Sequence, residues 1–331
     1  MSKAKQTFTY VGVLLFVILL NFWLPRLLRG GPIDYLNGSG NDGGIFLSEA
    51  QKTALLSYYH LNDSLWMQFV EYLRSLFTFD FGLSFLYKAP VADVIAARLP
   101  WTLLVVGGAT LISIVAGLAI GLLSAWRHPG RSDRGLFVAM LTVSAVPEFL
   151  VGTLVLILFA VQWGWLPLGG AKTAFYHPGS WLPQAADVLR HAALPIVTLA
   201  AGNLASIYLL MRNEAIRVRR EPFVEFAAAK GIGDKALMLR HVARSASLPL
   251  VTVIMMRIGG MLAGSVLTET VFSYPGIGKL LQEAILARDY PLLHGLFLLM
   301  TLFVLFFNIA ADWLYPRLDP RIRTAKKGEM Q

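Results

Sequence analysis

The chain has 331 residues, of which 56% are hydrophobic and only 15% charged, with a net charge of +9. A soluble protein carries about 25% charged residues, and here the apolar residues come in blocks of the ~20 residues needed to cross a bilayer, so a soluble globular enzyme is excluded and a membrane protein expected. There is no cysteine, which removes disulfides, thiolate metal sites and thiol catalysis.

In chain order, Lys3 and Lys5 precede an apolar run over 9–25. No small-x-small cleavage site follows, because the next residues are Pro25, Arg26, Leu27, Leu28 and Arg29. An uncleaved first transmembrane helix is therefore expected rather than a signal peptide. Residues 26–100 form an external loop. Ser48-Glu-Ala-Gln51 has the capping-box pattern for a helix over 48–60. A second helix over 64–78 places Leu65, Phe69, Tyr72, Leu73 and Leu76 on one face. Those amphipathic helices either cover the chain's own membrane domain or offer a landing surface to an external protein. Further spans are expected over 101–126, 135–163, 191–211, 247–270 and 292–314, with the third kinked or tilted at Pro147. Gly117-x-x-x-Gly121 and Gly260-x-x-x-Gly264 suit close helix packing.

The expected fold is thus all-α: a polytopic membrane protein with about six transmembrane helices. Orientation follows from lysine and arginine. With the N-terminus inside, segments 1–8, 127–134, 212–246 and 315–331 hold 18 of them, the outer segments hold 10, and Arg257 lies within a span. Both termini are expected in the cytoplasm. The domain plan is an N-terminal helix over 1–25, the external loop over 26–100, a core over 101–314 and a tail over 315–331.

Several chemical signatures fail on context. Gly38–Gly43 matches G-x-G-x-x-G but opens no βαβ unit, and Gly276-Ile-Gly-Lys279 lacks the phosphate-loop spacer and has Leu280 where Ser or Thr belongs. The six histidines lack paired metal spacing, and there is no G-x-S-x-G. No catalytic or metal-ligating residues are expected, and no nucleic-acid partner.

The inner segment 212–246 is the most informative. It opens on Arg212, Arg217, Arg219 and Arg220, then runs through Glu225-Phe-Ala-Ala-Ala-Lys-Gly231. A helix–Gly–helix is expected, with Ala227, Ala228 and Ala229 as a small exposed surface, Gly231 and Gly233 at the turn, and Asp234 capping the second helix. Such an element fits a partner's groove; taken alone, without other motifs, the segment reads first as a solvated loop.

Further motifs turn this segment into a resemblance. Ala227-Ala228-Ala229-Lys230-Gly231, Arg240-His241 and Pro249 stand in order with Asp80-Phe-Gly-Leu-Ser84, Arg98-Leu-Pro100, Gly164-Trp-Leu-Pro167, Glu269-Thr-Val-Phe272, Tyr274-Pro-Gly-Ile-Gly278, Ala287-Arg-Asp-Tyr-Pro291 and Asp319-Pro-Arg-Ile-Arg323. Over about 60–323 the chain resembles the permeases of ABC importers of the oligopeptide, dipeptide and nickel type. Ser245 and Ala228 depart from it, where the family often has Asn and Arg.

The resemblance implies a type I ABC importer permease in the bacterial inner membrane, without an ATPase site or cofactor of its own. It implies a second homologous permease, two cytoplasmic ATP-binding subunits that hold ATP and magnesium, and an extracytoplasmic solute-binding protein. Glu225, Ala227, Ala228, Ala229, Lys230, Gly231, Arg240 and His241 would couple the chain to the ATPases. Di- or oligopeptides are the expected cargo, with a nickel chelate as the alternative. A secondary transporter or channel is the competing class, and it has no need of a coupling segment.

Ionisable groups in mid-span are costly and face a partner or a wet cavity. At 1.5 Å per residue, Arg257, Glu148 and Asn203 lie roughly 15, 20 and 14 Å from the inner ends of their spans. We expect Glu148 and Arg257 to pair or to line the path, with Asn203 and Ser144 nearby; alternatively Arg257 meets the neighbouring permease or snorkels. Glu269 is a further path candidate, and otherwise contacts the binding protein or Lys279.

Overall fold

A computed structural model describes residues 3–27, 53, 57, 63–176 and 179–318. Among these residues the chain is helical, without a β-sheet. The helices are α1 (Lys3–Arg26), α2 (Leu65–Thr78), α3 (Val91–Trp126), α4 (Arg131–Ala145), α5 (Glu148–Gln162), α6 (Trp181–Arg219), α7 (Pro222–Ala229), α8 (Asp234–Val271), α9 (Ile277–Ala287) and α10 (Tyr290–Leu318). Helices α3, α6, α8 and α10 are long and apolar enough to cross a membrane. They extend past the ends set by hydropathy. α6, for example, runs 39 residues where about 20 suffice to span. Hydropathy marks only the lipid-facing part, while backbone hydrogen bonding carries the helix into the interface.

The expected kinked third span is a break. α4 and α5 meet at 100°. Pro147 caps α5 with extended backbone, and Val146 is also extended, consistent with the steric bias of a residue before proline. The end of α5 is a π-helical turn over Leu156–Gln162. α9 was not expected; its apolar residues Ile277, Leu280, Leu281 and Ala284 are buried at helical spacing. Gly276-Ile-Gly-Lys279 is the N-terminus of this helix, not a phosphate loop. The expected helix over 48–60, the Gly38–Gly43 loop and the tail motif Asp319–Arg323 lie outside the described residues.

The chain forms two compact units. The first comprises residues 1–100 and 276–305. In it, Ser64 caps α2 by accepting from the Met67 N–H at 3.3 Å. Tyr72 and Leu76 of α2 are buried against Phe22 of α1, with Phe69, Leu73 and Leu298 around them. The Arg26 guanidinium lies 3.7 Å from the Phe22 ring centroid and donates to Gln68 Oε1 at 2.9 Å. α2 thus covers the chain's own helices. Leu65, expected on the same face, is exposed and does not join the cluster.

The second unit comprises residues 101–275 and 306–331. One apolar core joins Leu122 and Ala125 of α3, Ile207, Met211 and Ala215 of α6, Val224 and Ala227 of α7, and Leu250 and Ile254 of α8. The Gly117/Gly121 face does what its spacing suggests. A Cβ on Gly121 would lie 2.8 Å from the Tyr208 carbonyl oxygen, so α3 and α6 approach backbone to backbone there.

Candidate functional site

The sequence motifs meet in pairs within each unit. In the first unit, Ser84 Oγ donates to Asp289 Oδ2 at 2.5 Å, the Leu86 N–H donates to the same oxygen at 3.0 Å, and the Leu292 N–H donates to Oδ1 at 3.1 Å. Burial pushes the Asp289 carboxyl up, and these donors oppose the shift. Tyr87 OH donates to Glu283 Oε2 at 2.5 Å and accepts from Arg98 Nη2 at 3.3 Å. Burial and the Glu283 carboxylate push the Tyr87 phenol up to about 12. In the second unit, the Gly170 N–H donates to the Phe272 carbonyl at 3.1 Å, joining the segment after Pro167 to the end of Glu269–Phe272. These motifs are structural ties between segments distant in sequence.

The segment 222–249 begins with the two-turn helix α7. Pro222 occupies its first turn and Glu225 adds a carboxylate there. The chain turns at Gly231, whose φ of +82° is in the left-handed region that favours glycine. Gly233, not Asp234, is the N-cap of α8; Asp234 lies in the first turn instead, where its charge suits the helix dipole. Arg240 and His241 fall in a π-helical turn, Leu237–Ala243. Ala227 is not on the outer surface: with Val224 it is buried against Leu237 and Val242. The outer face carries Glu225, Ala228, Ala229, Lys230 and Phe226, the last 70% exposed. Sequence inspection missed Phe226; its signal is a large aromatic next to the alanine run, with a second, Phe223, one turn earlier.

Nine residues before Glu221, the N-cap of α7, Arg212 of α6 joins a charge cluster that ties α3, α4 and α6 together. Asp133, 3% exposed, accepts from Arg212 Nε at 2.6 Å, Arg212 Nη2 at 2.7 Å and Ser124 Oγ at 2.6 Å, with His128 Nδ1 at 2.8 Å. Tyr208 OH is 2.8 Å from Ser124 Oγ.

The polar groups expected in mid-span divide. Glu148, Asn203 and Arg257 line one cavity of about 230 Å³, together with Gly260, Met261 and Gly264. Glu148 and Arg257 do not form an ion pair within 4.0 Å. Asn203 Nδ2 donates to the Leu199 carbonyl at 2.9 Å, which leaves its Oδ1 as an acceptor. Ser144 is not in this lining; its hydroxyl donates to the Leu141 carbonyl at 2.8 Å. Glu269 is fully buried elsewhere in the unit and accepts from Thr102 Oγ1 at 2.7 Å, while Lys279 lies 3.9 Å from Glu283. Gly260 and Gly264 border the cavity instead of forming a close helix contact, and no atom lies within 4 Å of a Cβ built on Gly260.

Long apolar helices, a polar cavity lined by Glu148, Asn203 and Arg257, and a short amphipathic helix packed on the same unit are the features of a polytopic membrane protein. Residues 117–324 match the family described as "Binding-protein-dependent transport system inner membrane component", and the chain belongs to that family. It is accordingly a multi-pass protein of the inner membrane. It is 33% identical to the di/tripeptide transport system permease protein DppB of Pseudomonas aeruginosa, covering 93% of this chain and 94% of that one. It is 31% identical to the glutathione transport system permease protein GsiC of Escherichia coli K12 (96% and 97%). It is 29% identical to the oligopeptide transport system permease protein AppB of Bacillus subtilis (96% and 98%). A chain in a solved structure of the MetNI methionine ABC transporter shares the fold, with a TM-score of 0.56 at 15% identity over 69% of this chain and 97% of that one.

Proposed function

We propose that this chain is one of two permease subunits of an ATP-driven importer of di- and oligopeptides. In this reading it pairs with a second, similar permease. A solute-binding protein delivers cargo on the outer side, and two ATPase subunits that carry ATP and magnesium act from within. The observation that carries it is the 222–231 element. One face of α7 is anchored through Val224 and Ala227 in the core that also holds α3, α6 and α8. The other offers Phe226, Glu225, Ala228, Ala229 and Lys230 without covering them. A helix anchored this way transmits a push on its outer face to the long helices as a rigid-body displacement. Closure of the ATPases displaces the element, and the bundle exchanges inward- and outward-facing states whose balance ATP and loaded binding protein set from opposite sides. Gly231 sets the turn that aims the helix, and Arg240 and His241, in the π-helical turn that follows, are further candidates for contact with the ATPase. The names of relatives aligned over nearly the whole chain support peptides as cargo.

The test is reconstitution of the complete complex in lipid, with ATPase rate measured for the binding protein empty, peptide-loaded or loaded with a nickel chelate. Stimulation by peptide alone is the expected result. Stimulation by nickel alone moves the cargo to the metal chelate, and failure of an ATPase to associate removes the coupling role from 222–249.

A further inference from the structure

We infer that the cavity lined by Glu148, Asn203 and Arg257 is a way-station for a zwitterionic solute, in which Glu148 receives the α-ammonium group and Arg257 the carboxylate. This rests on the peptide-importer reading above and names how the cargo is held on its way through.

The case begins with how this chain treats a charge it means to neutralise. Asp133 is met by both nitrogens of Arg212, by Ser124 and by His128 at hydrogen-bond distance. Glu148 and Arg257 share a cavity, yet no such bond joins them, and among the described residues neither carboxylate oxygen of Glu148 has a hydrogen-bond partner. Glu148 is half-buried at the start of α5 and Arg257 is exposed along the apolar helix α8; ionisable groups on membrane-spanning helices are costly and face a partner, a ligand or water.

The space is made for the carboxylate by glycine. A Cβ on Gly202 of α6 would stand 3.0 Å from Glu148 Oε1, and one on Gly264 of α8 would stand 3.6 Å from Oε2. Any larger residue at 202 crowds the carboxylate. The break at Pro147 places Glu148 in the first turn of α5, facing α6 and α8, where a continuous helix would carry it in a different direction. Asn203, one residue after Gly202, has its amide nitrogen committed to Leu199 and keeps an oxygen to accept. The Glu148 carboxylate and the Asn203 amide oxygen are acceptors in one lining and suit an ammonium group, and a guanidinium suits a carboxylate. The cavity, at about 230 Å³, is below the ~300–1,000 Å³ of sites that engulf a small molecule. It holds the charged ends of a solute that passes, not a whole peptide.

The test uses the complete complex in proteoliposomes and a tripeptide whose first residue carries a diazirine, delivered by the binding protein and illuminated during ATP turnover. ATPase stimulation by the loaded binding protein reports the importer reading; mapping of the photolabel reports the station. Label on Leu199, Asn203 or Met261 is expected, and Glu148→Gln should lower it about tenfold, the loss of one charge-assisted hydrogen bond; stimulation is scored on the unsubstituted complex. Moving the diazirine to the third residue should transfer the sensitivity to Arg257→Gln. Should Glu148→Gln fail to assemble, Gly202→Ala carries the test, since it displaces the carboxylate while keeping its charge; a labelling loss of about threefold is expected. Label outside the cavity, or cavity label indifferent to these substitutions while stimulation persists, overturns the station alone. Absence of stimulation by peptide sinks the importer reading and the station with it.

Discussion

Replacing Arg212 by Leu removes both guanidinium bonds from Asp133 and leaves a carboxylate that is 3% exposed with only Ser124 and His128. Removing one partner of a buried ion pair costs about 3–5 kcal/mol, because the remaining charge stays desolvated. Two of the four contacts survive, and Arg212 itself retains 11% exposure, which places the expected loss at the lower end, about 3 kcal/mol. That is roughly a hundredfold in the folded-to-unfolded ratio. The measurement is reversible unfolding of the purified chain in detergent micelles, followed by tryptophan fluorescence. The double variant Asp133→Leu with Arg212→Met should be more stable than Arg212→Leu alone, since no charge is then stranded. Arg212→Leu within about 0.5 kcal/mol of wild type, or a double variant that simply adds the two single losses, refutes the assignment of this cluster as a buried tie between α4 and α6.

Three further outcomes are expected. Gly121→Ala puts a methyl 2.8 Å from the Tyr208 carbonyl oxygen and should destabilise the α3–α6 contact by about 1–3 kcal/mol, read by the same unfolding assay. Phe226→Ala should leave that stability unchanged, the ring being 70% exposed, but cut peptide-stimulated ATPase activity of the reconstituted complex at least about tenfold, as loss of a buried aromatic anchor does at an interface; unchanged stimulation removes Phe226 from the docking surface. Tyr87 has a folded-state value raised from the ordinary 10 to about 12, so its contribution to stability is intact below about pH 10 and is lost as pH rises towards 12. Tyr87→Phe should therefore lessen the fall in melting temperature between pH 9.5 and 11.5, and an identical fall in both proteins counts against the raised value.

The membrane class, four of the spanning helices, the amphipathic helix at 65–78 and the Gly231 turn were legible because each depends on residues near in sequence: a run of apolar side chains, apolar residues recurring at helical spacing, a glycine where φ must be positive. Glu148, Asn203 and Arg257 stood out in the sequence as polar groups within apolar runs, but the helical-rise estimate for Glu148 assumed a continuous third span, which the 100° break removes. What rise cannot give is rotation about the helix axis and the separation between helices. Those are set when α5, α6 and α8 pack, and they leave Glu148 and Arg257 facing one cavity without pairing, with Ser144 turned to its own backbone and Glu269 buried against Thr102. The 100° break at Pro147 belongs to the same class, since proline favours a bend but the angle is fixed by what the two halves pack upon. So does Ala227: a run of three alanines looks uniform, and only the core formed by Val224, Leu237 and Val242 decides which of them turns inward. Sequence by itself determined what must lie in lipid and where the backbone must turn; tertiary structure decided which polar groups meet, because that depends on distances between segments that no local pattern encodes.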